Sequence, residues 1–297
     1  MSSFLTLGSS GTYTPAKVCL TLFMVLLAHT LGSLPLVFAI PKTIDPTNIQ
    51  AVASYLGTTR FFIFQMIPFV AVALVLIGLQ RWVFSKTTHE LFTGRARIDT
   101  KRFVFAFFLW GSIMTLSVGV EFGLTPDKMH WNFQPMPWLK TALLLLFFLP
   151  FQVLAEELLF RGLILQQLHR LVPSAWFAIL LSGTLFGLLH ASNPEVMSHG
   201  YGLLFMYAFY GIFLSFLTVA DNGLELAYGF HVANNFFQGI LITSSDQAFQ
   251  LNGMFKTHAM SFSWTSIVML VVSLALFLGL CYKRYPWHFG AAFKNNE

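Results

Sequence analysis

Charge is what this sequence has least of. Only 10% of its 297 residues are charged, whereas a soluble domain carries about a quarter. Apolar residues make up 56% of the chain, and the mean hydropathy is +0.69. So few charges cannot cover a surface that faces water. The composition therefore excludes an ordinary soluble protein and predicts that lipid faces much of the chain.

Cysteine is also scarce, and the sequence lacks the short motifs of several enzyme classes. Cys19 and Cys281 lie in apolar stretches, which excludes a disulfide framework and indicates small buried apolar groups. There is no His-Glu-x-x-His zinc helix, no Gly-x-Ser-x-Gly nucleophile elbow and no glycine-rich phosphate loop. The polar N-terminal stretch has no basic segment, so we expect no cleaved signal peptide.

Long apolar runs, in contrast, are abundant. A membrane-spanning helix needs about 20 apolar residues, and stretches near that length cover 16–40, 60–83, 103–120, 138–171, 174–191, 201–220, 223–243 and 263–282. The stretch 138–171 reads as one long helix that Pro150 should kink. None alternates like a barrel strand. We predict an all-α, polytopic membrane bundle of about eight transmembrane helices, forming a single domain over 1–297.

Lysine and arginine are concentrated in alternate loops. The loop after the second stretch and the C-terminal tail carry Arg81, Lys86, Arg95, Arg97, Lys101, Arg102, Lys283, Arg284 and Lys294. The intervening loops carry only Lys42, Lys128 and Lys256. By the positive-inside rule we predict that both termini and the basic loop are cytoplasmic. Because topology explains the net charge of +5, we expect membrane lipid as a partner and no nucleic acid.

An ionisable residue at membrane depth is a functional hypothesis by default, and the first such group is Glu156-Glu157-Leu-Leu-Phe-Arg161. Glu157 and Arg161 are four residues apart in the order that favours an ion pair on one helix face. Adjacent helical residues point about 100° apart, so Glu156 points elsewhere and has no charge partner in its own helix. We predict that Glu157 and Arg161 support the structure, and that Glu156 is the acid or base.

The second group is Phe186-Gly-Leu-Leu-His190, in the following helix. Glu156 precedes the predicted turn near Pro173, and His190 follows it at a similar separation. Each lies roughly 22–24 Å above that turn at 1.5 Å per residue. An antiparallel helix pair therefore places Glu156 and His190 at matching height. A lone histidine is more often structural, but this coincidence favours a shared site.

The third group is His231-Val-Ala-Asn-Asn235. His231 and Asn235 are four residues apart and can point at one target, which suits stabilisation of a developing oxyanion. The alternative is a hydrogen-bonded clasp between helices. Asn234 and Gln238, on an adjacent face, are the better candidates for that clasp.

Other polar residues receive structural or solvent-exposed roles. We expect His29 and Gln65 to be satisfied by a neighbouring helix, and Asp221 and Glu225 to face water at a helix end. A Ser/His dyad of Ser182 with His190 remains open, although the two residues are two helical turns apart.

Together, Glu-Glu-x-x-x-Arg, Phe-x-x-x-His and His-x-x-x-Asn resemble the CPBP family (CAAX proteases and bacteriocin-processing proteins, also called Abi), whose eukaryotic members are type II CAAX prenyl endopeptidases. The match runs from Glu156 to Asn235, within the helices 139–243. The resemblance implies an intramembrane endopeptidase acting on a membrane-associated peptide, prenylated or bacteriocin-like.

By the same resemblance, Glu156 is the general base and His190 polarises the water with it. His231 and Asn235 hold the oxyanion, and Glu157 with Arg161 fixes the geometry. The favoured interpretation uses no cofactor. The alternative is a zinc ion held by Glu156, His190 and His231, since three protein ligands and an open position form a catalytic zinc site.

Two non-proteolytic functions compete with this one. The first is a membrane immunity or scaffold protein, in which the polar groups only hold the bundle together. The second is a proton-coupled transporter, against which the absence of a detectable repeat counts. The sequence is compatible with a bacterial inner membrane or an internal eukaryotic membrane, and it does not identify the substrate.

Overall fold

The computed structural model describes residues 4–9, 12–125, 127–244, 246–257, 264–285, 287 and 293. A short 3-10 helix, Phe4–Ser9, precedes the α-helices. These are α1 Pro15–Ala39, α2 Ile49–Leu56, α3 Thr58–Trp82, α4 His89–Phe92, α5 Thr100–Leu124, α6 Pro135–Glu157, α7 Gln166–Leu171, α8 Ala175–Leu188, α9 Pro194–His199, α10 Tyr201–Ala220, α11 Glu225–Leu241 and α12 Trp264–Arg284. The predicted all-α bundle is confirmed. Lys294 lies outside the described residues.

Six helices in the described part of the chain are long and apolar enough to cross a membrane, as expected of an integral, multi-pass membrane protein. The other two predicted spans are also helical, but α8 has 14 residues and α11 has 17. Both are shorter than the roughly 20 residues that cross the hydrocarbon core. The count of eight therefore remains a prediction. The two short helices are those that carry the second and third motifs.

The first motif lies where a long helix changes its winding. The predicted helix 138–171 is continuous from Pro135 to Leu171. After Glu157, however, the segment Leu158–Leu165 winds as a π-helix before α7 resumes. Such wider turns occur often at functional sites. Arg161 lies inside this segment, and Glu157 ends the α-helical part before it.

The connections gather at two ends of the bundle. We call one the basic end: the N-terminal residues 4–9 and 12–14, the loop 83–99 and the turns 172–174 and 221–224. These parts contact one another, since the Phe4 amide donates to the Asn222 side chain (2.6 Å) and the Gln167 side chain donates to the Gly8 carbonyl (3.3 Å).

The opposite end, which we call the sheet end, includes residues 125, 127–134, 189–200, 242–244 and 246–257. Its short strands are β1 Met129–Trp131, β2 Ile242–Thr243 and β3 Phe255–Thr257, in the order β1-β3-β2. β3 pairs antiparallel with β1 and parallel with β2. The sheet joins the connection after α5 to the one after α11.

The prediction that Asp221 and Glu225 face water is wrong. Asp221 is 3% exposed and Glu225 is fully buried. Arg95 pairs with both, and Arg102 pairs with Asp221. The backbone amide of Asp99 also donates to Glu225 (3.1 Å). The loop rich in arginine folds over the α10–α11 turn, and this long-range contact left no local signal in the sequence.

Helices α8 and α10 pack with their backbones in contact. A methyl group on Gly183 would overlap the backbone of Ile212, and one on Gly187 would overlap the backbone of Ala208. Gly183 and Gly187 are four residues apart, the small-residue spacing that lets membrane helices approach closely. This contact determines how near α10 comes to His190.

We expect Gly187→Ala to destabilise the protein by about 1–3 kcal/mol, because the added methyl group must push α10 away. Gly119→Ala is the matched control. Gly119 is an exposed position of α5 where a methyl group would meet nothing within 4 Å. Alanine there should be neutral or stabilising by up to about 1 kcal/mol. Thermal unfolding in detergent measures both, and equal midpoints would contradict the close packing.

Candidate active site

A cavity of about 560 Å³ lies toward the sheet end of the bundle. Its volume is within the range of about 300–1,000 Å³ that is usual for ligand sites. All four residues predicted to act in catalysis line it: Glu156, His190, His231 and Asn235. They come from α6, from the turn after α8, and from α11. The structure therefore brings the three motifs together around one space.

Behind the cavity lies a buried ionic network. Arg161 Nη1 donates to Glu157 Oε1 at 2.9 Å, and both side chains are fully buried. Arg161 Nη2 also donates to the Gly211 carbonyl on α10 at 3.0 Å. The Nδ1 atom of His231 lies 2.7 Å from the same Glu157 oxygen. A single carboxylate oxygen thus connects α6, the π-helical segment and α11, and Arg161 extends the network to α10.

His231 connects this network to Glu156. Its Nε2 atom lies 3.5 Å from Glu156 Oε2, and its Nδ1 atom faces Glu157. The sequence reasoning placed His190 beside Glu156 and gave His231 a separate role. In the described structure it is a ring nitrogen of His231 that approaches the Glu156 carboxylate. The two adjacent carboxylates point apart along α6, as expected, yet one imidazole lies between them.

Glu156 has an oxygen that makes no hydrogen bond. Within the described residues, its buried Oε2 atom has only His231 Nε2 nearby, at 3.5 Å. Such an atom is costly to bury unless something in the cavity donates to it. Glu157 also has a buried Oε2 atom without a hydrogen bond, but only Glu156 of the two lines the cavity. Glu156 is therefore the carboxylate of this pair that a bound molecule can reach.

His190 is held in a defined orientation. Its Nδ1 atom lies 2.9 Å from the Phe186 carbonyl oxygen. Its ring stacks on Tyr207, with centroids 4.2 Å apart. A carbonyl only accepts hydrogen bonds, so the ring proton is on Nδ1 and Nε2 of the neutral imidazole is an acceptor. Phe186, the first residue of the second motif, thereby determines the tautomer of the last.

Asn235 and Asn234 make hydrogen bonds to different helices. Asn235 Nδ2 donates to Gln152 Oε1 at 3.1 Å, one helical turn before Glu156. Asn234 accepts from the Trp110 indole at 3.2 Å, which confirms its predicted role as a clasp between helices. Asn234, Asn235 and Gln238 all line the cavity. Asn234 differs from the other two in that it also contacts Trp110 on α5.

Sequence reasoning missed several residues of the cavity. Gln152 was not singled out, and Asn193 and Glu195 lie in a stretch that was interpreted as a loop without a role. Tyr207 lies in a helix that was treated as apolar. Glu195 could have been identified because it is a carboxylate only five residues after His190 in the sequence. His29 and Gln65, given structural roles, also line the cavity, although Gln65 does donate to the Ala248 carbonyl (3.2 Å).

The geometry argues against the Ser/His dyad. The Ser182 hydroxyl is buried and donates to the Phe160 carbonyl at 2.9 Å, so it is not directed at His190. In the described part of the chain, no group of three His, Cys, Asp or Glu side chains is arranged to hold a metal ion. The alternative of a zinc ion at Glu156, His190 and His231 stays a prediction of the sequence.

Comparison with known proteins identifies the same region. Residues 138–237 match the family model described as type II CAAX prenyl endopeptidase Rce1-like. This segment holds all three motifs and every residue predicted to act in catalysis. The predicted family resemblance is confirmed. The Rce1-like segment points to a protease of the CAAX type.

A curated relative extends the similarity beyond this segment. The chain is 28% identical over 204 residues to the uncharacterized protein YyaK of Bacillus subtilis (strain 168), which covers 67% of each protein. No solved structure matches the chain. The similarity to YyaK supports the family, and its name assigns no activity.

We expect Arg161→Met to lower the free energy of unfolding by about 3–5 kcal/mol, because it leaves the Glu157 charge buried without its partner. The double variant with Glu157→Gln should recover part of that loss. Lys86→Met is the control. Its i,i+4 pair with Glu90 is partly exposed, with side chains 25% and 24% accessible, and such pairs contribute about 0–1 kcal/mol. Unfolding in detergent measures all three, and equal losses for both single variants would contradict the buried network.

Proposed function

We propose that the protein is an intramembrane endopeptidase that hydrolyses a peptide bond of a membrane-associated substrate with water activated by Glu156 and His190. The observation that carries this proposal is the buried Glu156 oxygen that makes no hydrogen bond within the described residues, in one cavity with His190, His231 and Asn235. The Rce1-like match over the same helices supports it. A membrane-bound peptide fits because four of the helices that line the cavity, α1, α3, α6 and α10, are long and apolar enough to cross a bilayer.

In this mechanism Glu156 takes a proton from water as the water oxygen attacks the carbonyl carbon of the scissile bond. His190 assists through Nε2, the acceptor left by the contact of Nδ1 with the Phe186 carbonyl. The proton on Glu156 then passes to the amide nitrogen as the carbon–nitrogen bond breaks. Such general acid–base catalysis contributes about 10²- to 10⁴-fold to the rate.

The oxyanion of the tetrahedral intermediate is assigned to His231 and Asn235. This role requires a proton on both ring nitrogens of His231. Its Nδ1–H then faces Glu157, and its Nε2–H is available for the oxyanion. Asn235 contributes the amide hydrogen that Gln152 does not use.

Glu156→Gln should lower kcat/KM by about 10²- to 10⁴-fold, because the amide cannot accept the proton. His190→Gln should also impair cleavage, since it removes the imidazole acceptor. The assay is hydrolysis of a panel of membrane-tethered peptides by purified protein in lipid vesicles. Both peptide products are identified by mass spectrometry.

Glu121→Gln is the matched control, because Glu121 is an exposed carboxylate of α5 outside the cavity. It should cleave at the parent rate. Unfolding midpoints show that each variant is folded. Parent and Glu156→Gln cleaving at equal rates would reject the mechanism and leave the immunity or scaffold role as the better explanation.

We also propose that the protein lies in a bacterial inner membrane with its basic end in the cytoplasm, as the positive-inside rule requires. The cavity is lined by His190, Asn193 and Gln247, which lie in connections at the sheet end. The candidate active site is then nearer the non-cytoplasmic face. A substrate would approach from that side or from the outer leaflet.

Single cysteines test this orientation after Cys19 and Cys281 are replaced by serine. Ser192→Cys lies in the connection beside His190, and Thr87→Cys lies at the basic end; both positions are exposed. In intact bacterial cells a membrane-impermeant maleimide should label Ser192→Cys and spare Thr87→Cys. Labelling of both after the cells are broken controls for reactivity. The reverse pattern in intact cells would overturn the orientation.

A further inference from the structure

A second carboxylate in the cavity has no part in the proposed mechanism. Glu195, on α9, is 6% exposed and lines the cavity five residues after His190. Its Oε1 atom accepts hydrogen bonds from the Tyr207 hydroxyl and from Asn193 Nδ2, the latter at 3.1 Å. Its Oε2 atom is buried and makes no hydrogen bond to any described residue. One oxygen is held in place and the other is left unpaired.

The charges that line the cavity have one predominant sign. Glu156 and Glu195 are the acidic residues among its described lining, which includes no lysine or arginine. The basic side chains there are histidines: His29, His190 and His231. Arg161 is not among the lining residues, and its two Nη atoms donate to Glu157 and the Gly211 carbonyl. A ligand carboxylate would therefore meet repulsion in this space, and a ligand cation would meet attraction.

Glu195 is also linked to the candidate catalytic histidine. The Tyr207 hydroxyl donates to Glu195, and the ring of the same residue stacks on His190 at a centroid distance of 4.2 Å. A group bound to Glu195 is thus close to the proposed site of bond cleavage. The contacts from Tyr207 and Asn193 hold the carboxylate in one orientation, which reduces the cost of binding a ligand.

We propose that Glu195 forms a specificity subsite that binds a lysine or arginine side chain of the peptide substrate. The cation donates to the free Oε2 atom, which satisfies a buried oxygen that otherwise remains unpaired. The subsite selects substrates with a basic residue close to the scissile bond. It rests on the proposed function, because it assigns a substrate class to that same cavity.

The test uses short, lipid-anchored peptides that are otherwise uncharged and carry one lysine, norleucine or glutamate at successive positions. Norleucine retains the hydrocarbon chain of lysine without its charge. Hydrolysis is measured as kcat/KM with the parent protein. Binding is measured separately as Kd with Glu156→Gln, so that affinity can be read even where no peptide is cleaved.

At one position near the scissile bond, lysine should be preferred over norleucine by about 10- to 100-fold, as expected for a hydrogen bond to a charged group. Glutamate should be the poorest of the three. Glu195→Gln, made in both the parent and the Glu156→Gln background, should reduce the ratio of lysine to norleucine at least about tenfold. Glu121→Gln, which removes an exposed charge outside the cavity, should leave that ratio unchanged.

The inference fails if the parent shows no preference for lysine at any position, or if Glu195→Gln retains the preference. Should Glu195→Gln not fold, the ratio measured with the parent alone decides. Lysine-selective binding without hydrolysis of any peptide would support the subsite while rejecting the proposed peptidase. Hydrolysis without lysine selectivity would support the proposed peptidase and reject the subsite.

Discussion

A fully buried guanidinium inside a membrane bundle is the constraint on which the rest of this structure depends. Both Nη atoms of Arg161 donate hydrogen bonds there, one to Glu157 and one to the Gly211 carbonyl, and the same Glu157 oxygen lies beside His231 Nδ1. Removing charges from water is costly unless geometry and further hydrogen bonds compensate. The network therefore determines where α6, α10 and α11 lie relative to one another. It leaves Glu156, the neighbour of Glu157, facing the cavity.

Close helix packing makes this network possible. Gly183 and Gly187 let α8 approach the backbone of α10, which carries both the Gly211 carbonyl and Tyr207. Without side chains in the way, the carbonyl reaches Arg161 and the Tyr207 ring reaches His190. Membrane helices associate through the packing of small residues. Here the same packing also positions the residues of the candidate site. The shortness of α8 has the same effect, since it ends just before His190 and lets the chain turn over the cavity.

Local sequence patterns were enough to predict the helices and the contacts within a helix. Apolar runs identified the helices, because a backbone in lipid must satisfy its own hydrogen bonds. The i,i+4 spacing identified the pair of Glu157 with Arg161, because that contact lies within one helix. The same reasoning failed for Asp221 and Glu225. Their partner Arg95 is over a hundred residues away, and the burial of a charge by a distant loop has no local pattern.

The sequence by itself determined the class of the protein and its helices, and it predicted the residues of the candidate site, since composition and spacing are properties of the chain. Only the tertiary structure decided which groups meet. It placed His231 between Glu156 and Glu157, and it let Asn235 donate a hydrogen bond to Gln152. It also brought Glu195 into the cavity wall. The physical reason is that helical periodicity states the direction of a side chain within its own helix. Which neighbour it meets depends on how closely and at what height the helices pack.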